Sequence, residues 1–338
     1  MPTRMRRLVI CLALLALAAP GSAAAGALVT AFYYPWYGTP ALDGGWEHWN
    51  QNGHTPPGDL ASAYYPLLGA YSSSDPAVLS AQMDELRRAG VDAIAVSWWG
   101  RGSPEDARLP LVLSSARAAG LAVAAHLEPY AGRTVASVAA DVGYLDGLGI
   151  RTFYVYRALD LPVVEWQAAT PQLHAAGNTL YAQTPYAGAA AAAGFQGVYT
   201  YDIVTFSGDK FGRICGEAHA LHLLCAPSVG PGYDARRADG DPRVKPRRNG
   251  ATYDHMWGAA IAAHADAITI TSFNEWHEGT QIEPASPRPR HGTQRYLTYD
   301  GAYGLHGRGA AFAYLERTAY WSSVFRSTRA SQPKTRAS

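Results

Sequence analysis

Apolar, β-rich runs recur along the chain, each followed by a stretch with helical patterning. The runs are Leu28–Tyr34, Ala93–Trp98, Ala122–Leu127, Thr152–Tyr156, Leu180–Gln183, Val198–Ile203, Leu221–Ala226 and Ala267–Phe273. Turn residues bound each of them, and each has the length of a strand. Asp75-Pro76 opens a helical segment that Gly90 closes, and Ser103-Pro104-Glu105 opens another that Gly120 closes. Thr134–Leu148, Pro162–Ala175, Thr252–Ala263 and Ala310–Arg326 continue the pattern, with weaker helices at Ala187–Ala193 and Asp209–His219. This alternation predicts one α/β domain, and eight strands close a (β/α)8 TIM barrel. The domain is expected over 26–326, with a long loop, Thr39–Ser74, walling or covering one side after strand one. The tail over 327–338 lacks apolar pattern and is expected to be disordered.

The N-terminus reads differently. Arg4, Arg6 and Arg7 precede an apolar stretch, Leu8–Ala19, which Pro20-Gly21 breaks before the small residues Ser22–Ala25. This is the layout of a secretory signal peptide over 1–25, and the stretch is too short to span a membrane. The mature protein is therefore expected to be secreted, extracellular or periplasmic. Export leaves two cysteines, Cys215 and Cys225, for which a disulfide and two free thiols are both open.

Composition adds exclusions. Hydrophobic residues make up 48% and charged residues 16%, which excludes a disordered chain. The formal net charge is +1 with no basic stripe, so nucleic acid is not an expected partner. Nine Trp and 21 Tyr accompany only 8 Phe. Rings with polar edges suit a cleft that stacks on sugars, and amphipathic core filling is the plainer use. Six Trp, at 36, 46, 49, 98, 99 and 276, fall on the predicted C-terminal face of the barrel. Barrel enzymes carry their chemistry on that face, which favours the sugar cleft.

The strand ends there read Tyr33–Gly38, Ser97–Gly100, His126–Tyr130, Pro227–Asp234 and Asn274–Gly279. Glu275 and Glu278 supply the two carboxylates that glycoside hydrolysis requires. One protonates the leaving oxygen and the other serves as base or nucleophile. Tyr34, Trp36, Trp98, Trp99, His126, Glu128, Tyr233, Asn274, Trp276 and His277 form the candidate substrate-binding set. His126 and His277 also suit metal ligation, yet neither His-x-His nor His-Glu-x-x-His occurs, so no metal site is expected. A Gly-x-Ser-x-Gly elbow and a P-loop are likewise missing.

Together with Tyr64–Gly69, Tyr71-Ser72-Ser73 and the long run Ser272–Pro284, these motifs resemble glycoside hydrolase family 99, the endo-α-1,2-mannosidases and endo-α-1,2-mannanases. The resemblance implies a metal-free, cofactor-free (β/α)8 barrel. It also implies endo cleavage of an α-1,2-mannosidic bond with retained configuration. In the implied mechanism a carboxylate deprotonates the sugar 2-hydroxyl, which attacks C1 and forms a 1,2-anhydro sugar. Glu275 matches that base and Glu278 the general acid/base. Trp99, Glu128, Asn274 and Tyr233 match substrate-site positions, and strand alternation turns only one of Trp98 and Trp99 inward. The implied partner is a mannose-containing glycan, and the chain is expected to be a monomer. The pattern breaks at Tyr156-Arg157-Ala158-Leu159, around Ser207–Gly216 and across Arg236–Arg248. A different α-linked polysaccharide and a non-catalytic sugar-binding barrel are the alternative readings.

Overall fold

The computed structural model describes residues 29–331, so the expected signal peptide lies outside the described residues. The core is a parallel sheet. Its strands are β1 (Val29–Tyr33), β2 (Ala93–Trp98), β3 (Ala122–Leu127), β4 (Thr152–Val155), β5 (Thr179–Gln183), β6 (Gly197–Tyr199), β7 (Leu224–Ala226), β8 (Ser228–Val229) and β9 (Ile268–Ile270). They run in the order β7-β6-β5-β4-β3-β2-β1-β9-β8.

Strands β7 and β8 are two halves of one barrel strand divided by Pro227. The first half pairs with β6 (Val198 opposite Cys225) and the second with β9 (Thr269 opposite Ser228). Proline offers no N–H, so the ladder changes partner there. Its carbonyl still accepts from the Thr269 amide at 3.1 Å. Counted this way, eight strands close the barrel.

The expected seventh strand starts too early, because Leu221 ends the preceding helix and His222, at φ 57°, turns the chain. Strands six and eight stop at Tyr199 and Ile270, short of the expected Ile203 and Phe273. Side chains take over the pairing beyond those points. Tyr201 N donates to Ser228 Oγ (2.8 Å), Ser228 N to Thr200 Oγ1 (3.0 Å) and Thr271 Oγ1 to Tyr201 O (3.0 Å).

The outer layer is α1 (Pro76–Arg88), α2 (Pro104–Ala118), α3 (Val135–Gly147), α4 (Val163–Ala175), α5 (Ala187–Ala192), α6 (Phe211–Ala220), α7 (Ala251–Ala262) and α8 (Ala313–Ser331). The caps read from sequence form: Asp75 accepts from Ala77 N at 2.8 Å and Ser103 from Asp106 N at 3.1 Å. A disulfide joins Cys215 on α6 to Cys225 on β7. Helix α8 runs past Arg326, so 327–331 is helical where a disordered tail is expected. Ser327, Thr328 and Ser331 hydroxyls bond back to the preceding turn, and Arg329 donates to Ala265 O. Among the described residues no helix is long and apolar enough to cross a membrane.

The barrel interior holds Phe32, Tyr34, Tyr154, Tyr181, Tyr199 and Tyr201, with Ala95, Ala124 and Ala226 between them. Large rings from some strands meet alanines from others, and this size complementarity fills the space. Much of the tyrosine excess thus packs inside the barrel rather than across an open cleft. The segment 39–74 is a wall rather than a loose lid. Trp49 is fully buried and donates to Tyr71 O (2.7 Å), and Arg108 on α2 grips Asp43 (3.0 Å) and Glu47.

Candidate active site

The chain leaves β9 through Thr271–Glu283, a loop folded tightly on itself. Ser272 N donates to Thr280 O and Ile282 N to Ser272 O, each at 3.0 Å. Ser272 Oγ accepts from Glu275 N at 2.8 Å and meets Thr280 Oγ1 at 2.9 Å. Strand one anchors the loop from the other side. Tyr37 Oη donates to Asn274 O and accepts from Trp276 N, both at 3.0 Å. Below, the buried Glu283 carboxylate accepts from Gln82, Tyr71 and Trp276 at 2.7–2.8 Å.

This frame presents two acids. Glu275 is 3% exposed and accepts from His277 N at 3.2 Å. Burial, and then the Glu278 charge, raises its pKa well above the usual carboxylate range. Glu278 is half-buried, and burial, followed by the Asp202 and Glu128 charges, raises it to about 8. Burial and neighbouring carboxylates thus both favour the protonated forms here. A carboxyl that holds its proton at neutral pH is what a general acid requires.

Glu278 faces a small pocket of about 70 Å³ lined by Tyr156, Tyr201, Asp202, Tyr233, Arg243 and Thr271. Tyr233 Oη donates to Asp241 (2.8 Å), which also holds Arg243. Gly230 lets the walls close in: a Cβ there would lie 2.4 Å from Thr271 O and 2.6 Å from Ile203 Cδ1.

Several expected residues converge on this place. The Tyr34 hydroxyl meets that of Tyr201, and its pKa is raised by burial and by the Glu128, Glu275 and Glu278 charges. Glu128 accepts from Ser97 Oγ (2.8 Å), and its Oε1 lies 2.9 Å from His126 Nδ1. His126 Nε2 meets Tyr199 Oη at 3.0 Å. Trp36 stacks on His48 (4.4 Å) and His277 (5.7 Å). His277 Nε2 bonds His48 O (2.8 Å), and burial lowers its pKa to about 4, so the ring is neutral.

Three expected substrate contacts are committed elsewhere. Trp98 points outward, where its Nε1 donates to Asp106 on α2 (2.9 Å). Alternation along β2 turns Ser97 inward instead, and leaves Trp99 on the rim at 37% exposed. Trp276 is fully buried against Glu283. The Asn274 amide is spent on the Tyr34 backbone.

The pocket also contains residues that the sequence reading did not select: Tyr156, Tyr201, Asp202 and Arg243. Tyr201 and Asp202 fall inside the run Val198–Ile203, which reads as strand throughout, so the sequence hides their place at its mouth. Arg243 lies in a segment that departs from the family pattern.

A closed parallel barrel with a carboxyl pair at its C-terminal mouth is the architecture of a (β/α)8 glycoside hydrolase. The model for glycosyl hydrolase family 99 matches residues 25–327, and the chain belongs to this family of enzymes. It is 32% identical to the glycoprotein endo-alpha-1,2-mannosidase of Mus musculus, covering 88% of this chain and 75% of that one. A glycoprotein endo-alpha-1,2-mannosidase-like protein of Danio rerio is 33% identical over 87% of this chain and 77% of its own. Among solved structures, the GH99 endo-alpha-mannosidase from Bacteroides thetaiotaomicron superposes with a TM-score of 0.79 at 32% identity. That match covers 89% of this chain and 98% of that one.

Proposed function

We propose that the protein is a secreted, retaining endo-α-mannosidase that cleaves α-1,2-mannosidic bonds in mannan or a mannose-rich glycan. The observation that carries the reading is the Glu275–Glu278 pair on the loop after the last barrel strand, Glu275 buried and Glu278 half-buried against the pocket, with both pKa values raised. Glu278 donates its proton to the glycosidic oxygen as the bond to C1 breaks. Glu275 takes the proton of the 2-hydroxyl, and O2 attacks C1 from the opposite face to give a 1,2-anhydro sugar. Water then opens the ring at C1, giving its proton to Glu278, while Glu275 returns a proton to O2. Two inversions leave the configuration retained. A mannose-type 2-hydroxyl is axial and trans to an α leaving group, which is the alignment this attack needs. The basic, apolar and small-residue order of residues 4–25 supports export.

The test is hydrolysis of an α-1,2-branched mannan, with products sized and the released anomer followed by NMR. Retained oligosaccharide release, lost in Glu275→Gln and Glu278→Gln, is the expected result. Binding without turnover supports a lectin-like barrel instead. A different α-linked polysaccharide is the second reading. It is favoured by Arg243, which stands beside Glu278 in a segment that breaks the family pattern.

A further inference from the structure

Arg247 is a buried cation without an acidic partner, and what surrounds it points to a role. It is 9% exposed. Its guanidinium carbon sits 4.7 Å from the centre of the Tyr64 ring, 4.6 Å from Tyr299 and 4.5 Å from Tyr314. No carboxylate lies within ion-pair distance among the described residues. Its guanidinium reaches the loop that carries Glu278: Nη2 donates to Gly279 O at 2.9 Å and to Gln281 O at 2.7 Å, with the Tyr314 side chain as a further polar partner. Burying a charge is costly, and three aromatic faces plus two carbonyl dipoles offset that cost here. A methionine would fill a similar volume without it. The charge is therefore placed for what it holds.

What it holds is the segment immediately after Glu278. The Glu278 carbonyl is itself fixed by Asp234 N at 2.7 Å, so two consecutive carbonyls are pinned from the segment that follows β8. Tyr299, one wall of the cage, donates to Gln281 O (3.1 Å) and Glu283 O (2.9 Å). Gly279 sits at φ 64°, and a Cβ there would lie 3.1 Å from the Asp234 backbone.

We propose that Arg247 is a positioning residue for Glu278: its caged cation clamps the Gly279 and Gln281 carbonyls and fixes where the acid delivers its proton. This rests on Glu278 being the general acid. The test uses Arg247→Met, Arg247→Lys and Arg247→Ala in the full mature chain, assayed on α-1,2-branched mannan below their melting temperatures. Misplacing a catalytic group by about 1 Å costs about a hundredfold. The expected result for Arg247→Met is a loss of that size in kcat with KM unchanged, and a smaller loss for Arg247→Lys. Added ethylguanidinium should restore part of the kcat of Arg247→Ala, and ethylammonium less. Hydrogen exchange supplies a readout free of substrate: peptides over 275–283 should lose protection in Arg247→Met while those of α2 and α3 keep it. Wild-type kcat in Arg247→Met, or loss of protection spread evenly over the barrel, overturns the proposal. If the wild-type enzyme leaves mannan intact, the functional reading fails, and the exchange pattern still decides whether Arg247 holds the loop.

Discussion

Asn274 closes on Tyr34 from both sides: its Oδ1 accepts from Tyr34 N at 2.7 Å and its Nδ2 donates to Tyr34 O at 3.0 Å. One side-chain amide thus does what a ladder pair does elsewhere in the barrel, and it joins the catalytic loop to strand one. Asn274→Asp keeps the shape and replaces the donor with an acceptor facing a carbonyl. Leaving such a buried group unsatisfied costs about 1–3 kcal/mol. Thermal or urea unfolding should show that loss.

Activity should fall on the alkaline side with an apparent pKa near 8. Glu278 must be protonated to act, and burial together with the Asp202 and Glu128 charges sets its value at about 8. Asp202→Asn removes one of those charges and should move the alkaline limb to lower pH. A kcat/KM profile between pH 5 and 10 checks both, and a limb that stays in place in Asp202→Asn would remove Asp202 from the account.

Stability should decline as pH rises from about 6.5 to 8. Burial raises Glu85 to about 8 and Glu283 to about 7, and Glu278 to about 8. The fold therefore binds more protons than the unfolded chain above the ordinary carboxylate value, and stability falls as pH climbs through that window. His277, lowered to about 4, acts oppositely: below about 6.5 the unfolded ring binds a proton that the fold refuses. The two effects oppose each other at mildly acidic pH, and only the carboxyl effect survives above it. Each group contributes at most about 1.4 kcal/mol per pH unit. Melting temperatures across the range test the slope, and Glu85→Gln should flatten it.

Trp98 and Trp99 should separate stability from binding. Trp98→Phe loses the bond to Asp106 and buried ring area, so unfolding should become easier with KM unchanged. Trp99→Ala on the rim should raise KM and leave the melting temperature in place. The reverse pattern would contradict the orientation of β2.

The barrel was readable because β/α alternation, caps and glycine stops each act locally. Asp75 and Ser103 cap the helices that the sequence opens at them, and Thr134, read as the first helical residue, is itself a cap. The loop after the last barrel strand was readable as a candidate site because its residues are contiguous. Orientation was not. Whether Trp276 faces sugar or Glu283 depends on Gln82 and Tyr71, which arrive from distant segments. The tyrosine excess was ambiguous for the same reason. Tyr199 and Tyr201 are two residues apart and both fill the barrel interior, yet only Tyr201 lines the pocket, which no composition reveals.

Pro227 gives the barrel a seam. Above it, the hydroxyls of Thr200 and Ser228 join the walls formed by the sixth and seventh strands, and that of Thr271 ties the sixth to the eighth, in place of a continuous backbone ladder. Backbone pairing is the same for every sequence, whereas a hydroxyl is encoded residue by residue. This side-chain seam runs beside the Glu278 pocket, which Tyr201 and Thr271 line. Exchange of Thr200, Ser228 or Thr271 for alanine would cut a tie between strands without touching any backbone ladder.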